Sequence, residues 1–112
     1  MRELYLMKMK NISRFLGGIS VFYVISYDIV DDKRRKKLSD FLESFAIRVQ
    51  CSVFETEMES SRLEKLVAQI QKLIDQKEDT VRIYPLSRSL RRQIITIGND
   101  KGHYYENDVI II

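Results

Sequence analysis

One aspartate stands at the end of the most apolar stretch of the chain. Val21 to Asp28 reads VFYVISYD, a run of β-branched and aromatic residues that is typical of a buried strand and ends in a carboxylate. Because burying a charge is costly, Asp28 should lie where the strand meets solvent. Its carboxylate could then bind Mg²⁺ or Mn²⁺, which would polarise a phosphodiester and activate water. The ordinary alternative is a turn or helix-capping aspartate ahead of Asp31 and Asp32.

Basic residues follow this aspartate directly. Residues 33–37 read KRRKK and occupy the first turns of a predicted helix, where cations oppose the helix dipole. A binding role therefore explains them better than stability does. Arg34, Arg35 and Lys37 are candidates for phosphate binding, and solvated surface charge is the alternative. A second basic block would extend the same surface and comprises Arg88, Arg91 and Arg92.

Few other side chains point to chemistry. Tyr27 and Phe54 could stack on bases, although core or interface packing is the ordinary role of such residues. His103 has no serine, cysteine or second histidine at catalytic spacing. With one cysteine, Cys51, and one histidine, the chain has neither an internal disulfide nor a Cys/His zinc site. No phosphate-binding glycine loop, HExxH motif or nucleophile elbow is present.

Composition sets limits on the class of protein. The 112 residues suit one domain, and 45% hydrophobic with 31% charged residues is ordinary for a globular protein. No apolar run reaches the roughly 20 residues of a membrane span, and a single cysteine fits a reducing, cytoplasmic location. The net charge of +3 comes from the first 19 residues, while the remaining chain carries 15 basic and 15 acidic residues. Segregated basic blocks on a neutral body favour local binding of a polyanion.

The elements that must position these residues follow from periodicity. A helix capped by Asp31 or Asp32 follows the first strand, and residues 46–59 alternate as a long strand or as a hairpin turning near Cys51-Ser52. A second helix opens with the capping box Ser61-x-x-Glu64 and ends near Gln76. Further strands are predicted at residues 80–86, 93–98 and 109–112.

This order predicts an α+β fold, a ferredoxin-like β-α-β-β-α-β sandwich with one or more additional C-terminal strands. Residues 1–19 form an N-terminal extension, 20–98 the core domain, and 99–112 a C-terminal loop and edge strand. We expect Tyr23, Ile25, Tyr27 and Ile83 to lie on the sheet face away from the helices. A second copy of the sheet would cover that face, which predicts a homodimer.

Two stretches, YVISYDIVDDKRRKKLSDFL and VQCSVFE, resemble the CRISPR-associated endonuclease two family, the small subunit of the CRISPR spacer-acquisition machinery. The resemblance covers about residues 21–98. It rests on the motifs Tyr27-Asp28, Asp31-Asp32-Lys33-Arg34-Arg35 and Gln50-x-Ser52-Val53-Phe54-Glu55.

The resemblance implies a homodimer with Asp28 of each subunit as the metal-binding aspartate at the dimer axis. Arg35 and Phe54 match positions that the family uses around its active centre, with Tyr27 and Arg34 as adjacent supports. Family members have been assigned metal-dependent cleavage of single-stranded RNA or double-stranded DNA. In the acquisition complex the dimer bridges two dimers of the CRISPR integrase and holds DNA, and its nuclease activity is regarded as dispensable there.

Two functions therefore compete. In the first, paired Asp28 carboxylates hold Mg²⁺ in an endonuclease, and Arg35, with Arg34 and Lys37, binds the nucleic-acid backbone. In the second, the dimer is a catalytically dispensable scaffold that grips duplex DNA and bridges integrase dimers, with strongly salt-dependent binding. A distant third is a dimeric ribonuclease toxin, which the genomic neighbourhood would distinguish.

Overall fold

The fold is an antiparallel sheet with two helices on one face. The computed structural model describes residues 20–99, so the predicted N-terminal extension and the predicted strand at 109–112 lie outside the described residues. The elements are β1 (Ser20–Asp28), α1 (Asp32–Glu43), β2 (Ile47–Gln50), β3 (Val53–Glu59), α2 (Leu63–Leu73), β4 (Thr80–Leu86) and a short α3 (Arg88–Arg91). The predicted β-α-β-β-α-β order is confirmed.

The four strands lie in the order β2-β3-β1-β4, and every neighbouring pair is antiparallel. β2 and β3 form the predicted hairpin, with Cys51 and Ser52 in its turn. The register of the hairpin shifts between Arg48 and Gln50, which is a β-bulge. In the centre of the sheet, β1 places Asp28 opposite Thr80.

The core lies between the helices and one face of the sheet. Alternate residues of β1, including Tyr23, Ile25 and Tyr27, pack in one buried cluster with Leu38 of α1 and Leu66 of α2. The expectation that these aromatic and aliphatic residues lie away from the helices is therefore wrong. The apolar run of β1 is nearly continuous, so its pattern does not distinguish the two faces.

The opposite face, which we call the outer face, carries the other residues of β1. Phe22, Val24 and Ser26 alternate with the core residues, and Phe22 and Val24 pair with Glu57 and Glu55 of β3. Because acidic side chains of β3 stand next to apolar side chains of β1, the outer face is mixed in polarity.

Of the two predicted helix starts, that of α1 is confirmed and that of α2 is wrong. Asp31 caps α1 as expected, because its carboxylate accepts a hydrogen bond of 2.9 Å from the backbone N–H of Arg34. The prediction that Ser61 and Glu64 form a capping box for α2 is wrong. Ser60–Arg62 forms a 3₁₀ turn, and α2 starts at Leu63 without a side-chain cap. This early turn removes Ser61 from the N-cap position.

The predicted strand at residues 93–98 is also wrong. The segment after α3 is irregular, and Ile95 and Ile97 are exposed rather than paired with a strand of the described chain. Within the described residues, no helix has the length and apolar character needed to cross a membrane.

Candidate functional site

Asp28 is the last residue of β1, and its side chain is exposed. By the alternation of side chains along a strand, it shares the outer face with Phe22, Val24 and Ser26. The prediction that this carboxylate stands where a core strand meets solvent is confirmed. Thr80, its cross-strand neighbour on β4, is also exposed.

The loop after Asp28 is held by Arg35, which projects back from α1. Its guanidinium donates to the carbonyl oxygen of Ile29 from Nε at 3.2 Å and from Nη2 at 2.8 Å, and to that of Val30 at 3.3 Å. The remaining Nη1 bonds to the carboxylate of Asp32 at 2.5 Å. The Arg35 side chain is still 45% exposed, so the guanidinium is accessible to a ligand at the loop that follows Asp28.

Arg34 makes different contacts. Its Nε donates to Oδ2 of Asp79 at 2.8 Å, and its Nη2 reaches Oδ1 of Asp79 at 3.3 Å and Oε2 of Glu78 at 3.1 Å. These bonds from Arg34, joined by those from backbone amides, hold the pKa of the Asp79 carboxyl down at about 2. The proposed phosphate-binding role of Arg34 stays a prediction; its guanidinium contacts two carboxylates, and its side chain is less exposed than that of Arg35, at 28%. Lys37 lies on the exposed side of α1.

Tyr27 and Phe54 lie on the opposite face of the sheet from Asp28. Their rings stack with centroids 6.2 Å apart, and Phe54 is fully buried. A residue without exposed surface cannot stack on a nucleic-acid base in this conformation. Any role of Phe54 in function must therefore act through the residues packed against it.

Arg48 completes this aromatic cluster and was missed from the sequence. Its guanidinium lies 4.8 Å from the centre of the Phe54 ring, donates to the carbonyl oxygen of Cys51 at 2.6 Å and contacts the Ser39 hydroxyl. Hydrogen bonding to the Glu43 carboxylate is the main reason why the pKa of Arg48 is raised. A signal existed: Arg48 is a charged residue within the alternating strand pattern.

The second basic block lies at the other end of β1. Arg91 stacks over Phe22 at 4.4 Å, while Arg92 is exposed and Arg88 makes a long ion pair of 3.7 Å with Glu57. Phe22 and Asp28 are six residues apart on one strand, which corresponds to roughly 20 Å. Within one subunit the structure therefore does not bring this block together with Asp28.

Within residues 20–99, Asp28 belongs to no group of three metal-binding side chains. Across residues 20–99, no three histidine, cysteine, aspartate or glutamate side chains cluster in a way that could hold a metal ion. A metal at Asp28 would therefore require oxygen ligands from outside these residues, such as those of a second subunit, of substrate or of water.

Comparison with known proteins places these features in a family. A family model for CRISPR associated protein Cas2 matches residues 21–94. The chain belongs to the Cas2 family. This match includes Asp28, the loop behind it and both basic blocks up to Arg92.

Individual Cas2 relatives agree with this assignment. The chain is 46% identical over 72 residues to the "CRISPR-associated endoribonuclease Cas2 3" of Synechocystis, covering 64% of this chain and 78% of the relative. It is 41% identical over 93 residues to the "CRISPR-associated endoribonuclease Cas2 1" of Chloroflexus aurantiacus, covering 82% of this chain and all of the relative. A chain of a solved partial Cas6-RT-Cas1--Cas2 complex matches with a TM-score of 0.64 and 33% identity, covering 76% of this chain and 94% of that chain.

Proposed function

We propose that this chain is an endonuclease of CRISPR adaptation that cleaves phosphodiester bonds in RNA, DNA or both as a homodimer. The observation that carries the proposal is the exposed Asp28 at the end of a core strand. The accessible guanidinium of Arg35, from α1, is hydrogen-bonded to the loop that follows Asp28. Family membership and the nuclease names of the relatives support it.

The donor chemistry of Asp28 fits Mg²⁺ or Mn²⁺, because both are hard cations that prefer oxygen ligands. One carboxylate per subunit makes half of a site, so we propose that Asp28 of two subunits holds one ion together. When bound, such an ion polarises the phosphodiester and lowers the pKa of a water molecule. Arg35 would neutralise charge on the phosphate, with Lys37 adding a second positive charge along α1.

The homodimer is supported by apolar surface that the described chain leaves uncovered. Tyr84 on the outer face and Leu90, Ile95 and Ile97 beyond β4 are all exposed. Several large exposed apolar groups that lie close together in sequence are typical of an association surface. A second subunit packed against the outer face would also place the Asp28 carboxylates of both subunits in the interface between them.

A cleavage assay tests the proposed nuclease. Labelled single-stranded RNA and double-stranded DNA are incubated with Mg²⁺, Mn²⁺ or EDTA, using wild type, Asp28→Ala and Asp40→Ala. Asp40 is a matched control because it is also an exposed aspartate but pairs only with Lys36 on α1 in the described contacts. We expect metal-dependent cleavage that Asp28→Ala abolishes and Asp40→Ala retains, with unchanged dimer mass. Cleavage that survives Asp28→Ala would refute the paired-aspartate mechanism.

The second candidate is a dimeric scaffold that bridges integrase dimers and whose nuclease activity is dispensable. The specific observation behind it is the similarity to a chain of the partial Cas6-RT-Cas1--Cas2 complex, together with the exposed Arg88 and Arg92. Spacer acquisition in cells separates the two candidates. The scaffold requires acquisition to survive Asp28→Ala and to fail when Arg88 and Arg92 are replaced by alanine. Family membership favours both candidates over a toxin.

A further inference from the structure

Asp79 is a buried carboxylate that the proposed chemistry leaves without a role. Its side chain has no exposed surface, although it lies in the connection between α2 and β4. Two of its hydrogen bonds come from Arg34. Two more come from backbone amides, that of Val30 at 3.0 Å and that of Asp75 at 2.8 Å. The carboxylate is thus saturated by partners within the chain.

These donors belong to three separate parts of the fold. Val30 follows Asp28 by two residues, Arg34 lies in the first turns of α1, and Asp75 follows the end of α2. Asp79 itself precedes Thr80, the residue that pairs with Asp28 across the sheet. One buried side chain therefore connects the loop after the exposed aspartate, the start of α1 and the segment that leads into its β4 neighbour.

The loop after Asp28 is held from both sides by this arrangement. Asp79 accepts from the amide of Val30, while Arg35 donates to the carbonyl oxygens of Ile29 and Val30. The side chain of Val30 is mostly exposed and adds little packing. The path of the loop is therefore set by the burial of Ile29 in the core and, at Val30, by backbone hydrogen bonds to these two charged side chains.

We propose that Asp79, with Arg34, is a positioning pair that fixes the end of the strand carrying Asp28 and the loop to which Arg35 donates. This inference rests on the proposed nuclease function. Asp79 touches no substrate; it acts through Val30 and Arg34. Arg34 is consequently a positioning residue, rather than a phosphate ligand like Arg35.

A purely stabilising ion pair is the competing explanation. Buried ion pairs are often no better for stability than well-packed apolar residues, so stability alone gives a weak reason for this one. Functional groups held on a precise backbone gain catalytic rate, and a misplacement of about 1 Å can cost about a hundredfold. The two explanations differ in what happens to kcat in a variant that is still folded.

Steady-state cleavage by the full-length dimer, well below the melting temperature of every variant, tests the proposal. We compare Asp79→Asn and Arg34→Gln with Glu78→Gln, the matched control, since Glu78 also contacts Arg34 but its side chain is 55% exposed. We expect kcat to fall about ten- to a hundredfold in the first two variants, with KM within about twofold. Glu78→Gln should retain wild-type kcat. If Arg34 bound phosphate directly, Arg34→Gln would raise KM and Asp79→Asn would leave kcat intact, which would overturn the proposal.

An NMR measurement gives a readout that needs no activity. In Asp79→Asn the carboxyl resonance of Asp28 should shift, and amide exchange of Val30 should accelerate at least about tenfold, while Glu78→Gln changes neither. An unshifted Asp28 resonance in folded Asp79→Asn overturns the inference. A wild type that cleaves nothing would refute the nuclease itself, and the Asp28 resonance then decides the positioning of this strand end alone. If Asp79→Asn does not fold, the same measurements on Arg34→Gln decide it.

Discussion

Replacing Asp79 with asparagine should remove a pH-dependent part of the folding stability. The pKa of Asp79 lies at about 2, against an ordinary value of 3.8, so the unfolded chain binds this proton more readily than the folded one. A shift of that size corresponds to about 2 kcal/mol at neutral pH. Hydrogen bonds to a charged group are worth about 1.5–3 kcal/mol each, and asparagine would keep part of them. The loss of stability expected from hydrogen bonds is therefore of the same order of magnitude as the loss expected from the pKa.

The pH window follows from the direction of the shift. A lowered carboxyl pKa contributes stability that is complete above the unfolded pKa and is lost as the pH falls through the folded pKa. The stability difference between wild type and Asp79→Asn should therefore be about 2 kcal/mol at pH 7, or roughly 10 °C in melting temperature. About half of that difference should remain at pH 3, and little near pH 2.

Urea unfolding at several pH values, followed by circular dichroism, measures this difference. The groups around the Asp79 carboxylate are Arg34 from α1, which stays charged throughout, and Glu78 and Asp75 from its own connection. Glu78→Gln is the control, because an exposed carboxylate should contribute less than about 1 kcal/mol. A difference for Asp79→Asn that stays constant from pH 7 to pH 3 would refute the assignment of a lowered pKa to the Asp79 carboxyl.

Three further predictions concern the arginines. Arg48→Met should destabilise the fold by about 1–2 kcal/mol in urea unfolding, because it removes the hydrogen bond to the hairpin turn and the contact with the Phe54 ring; no change would contradict that packing role. Replacing Arg88 and Arg92 by alanine should reduce the magnitude of the negative slope of log binding constant against log salt, in duplex-binding titrations, by about 2 for each subunit in which both contact phosphate; an unchanged slope would exclude those contacts. Arg35→Lys should lower cleavage at least about tenfold, since lysine cannot donate from a planar fork to two carbonyl oxygens at once; wild-type rates in this variant would contradict the role of the fork.

Local patterns predicted most of the fold. The period of β3 and the apolar stripes of the two helices are short-range features, and the Asp31 cap involves residues three positions apart. The prediction of a capping box is wrong because Ser60–Arg62 forms a 3₁₀ turn before α2 begins. The strand at 93–98 failed because alternation requires a pairing partner, which the described chain does not supply.

The position of Asp28 could be predicted because it depends on a single strand end. The contacts of Arg34 with Asp79 join residues 45 positions apart, and no local periodicity marks such a pair. The residues of β1 that lie on the outer face could in principle be predicted. Glu55, Glu57 and Glu59 alternate along β3, and antiparallel pairing places the same faces of β3 and β1 together. What the sequence lacked was the register.

The exposed Val30 has a consequence for variation at that position. Its side chain is 61% exposed, while its amide donates to Asp79 and its carbonyl oxygen accepts from Arg35. The useful chemical groups at position 30 are therefore common to nearly all amino acids. In a saturation library, almost any substitution at position 30 should leave activity unchanged. Proline lacks the amide hydrogen, so it should lower activity as the loss of its partner Asp79 does. A position whose side chain is freely exchangeable can thus still be one that the loop cannot do without.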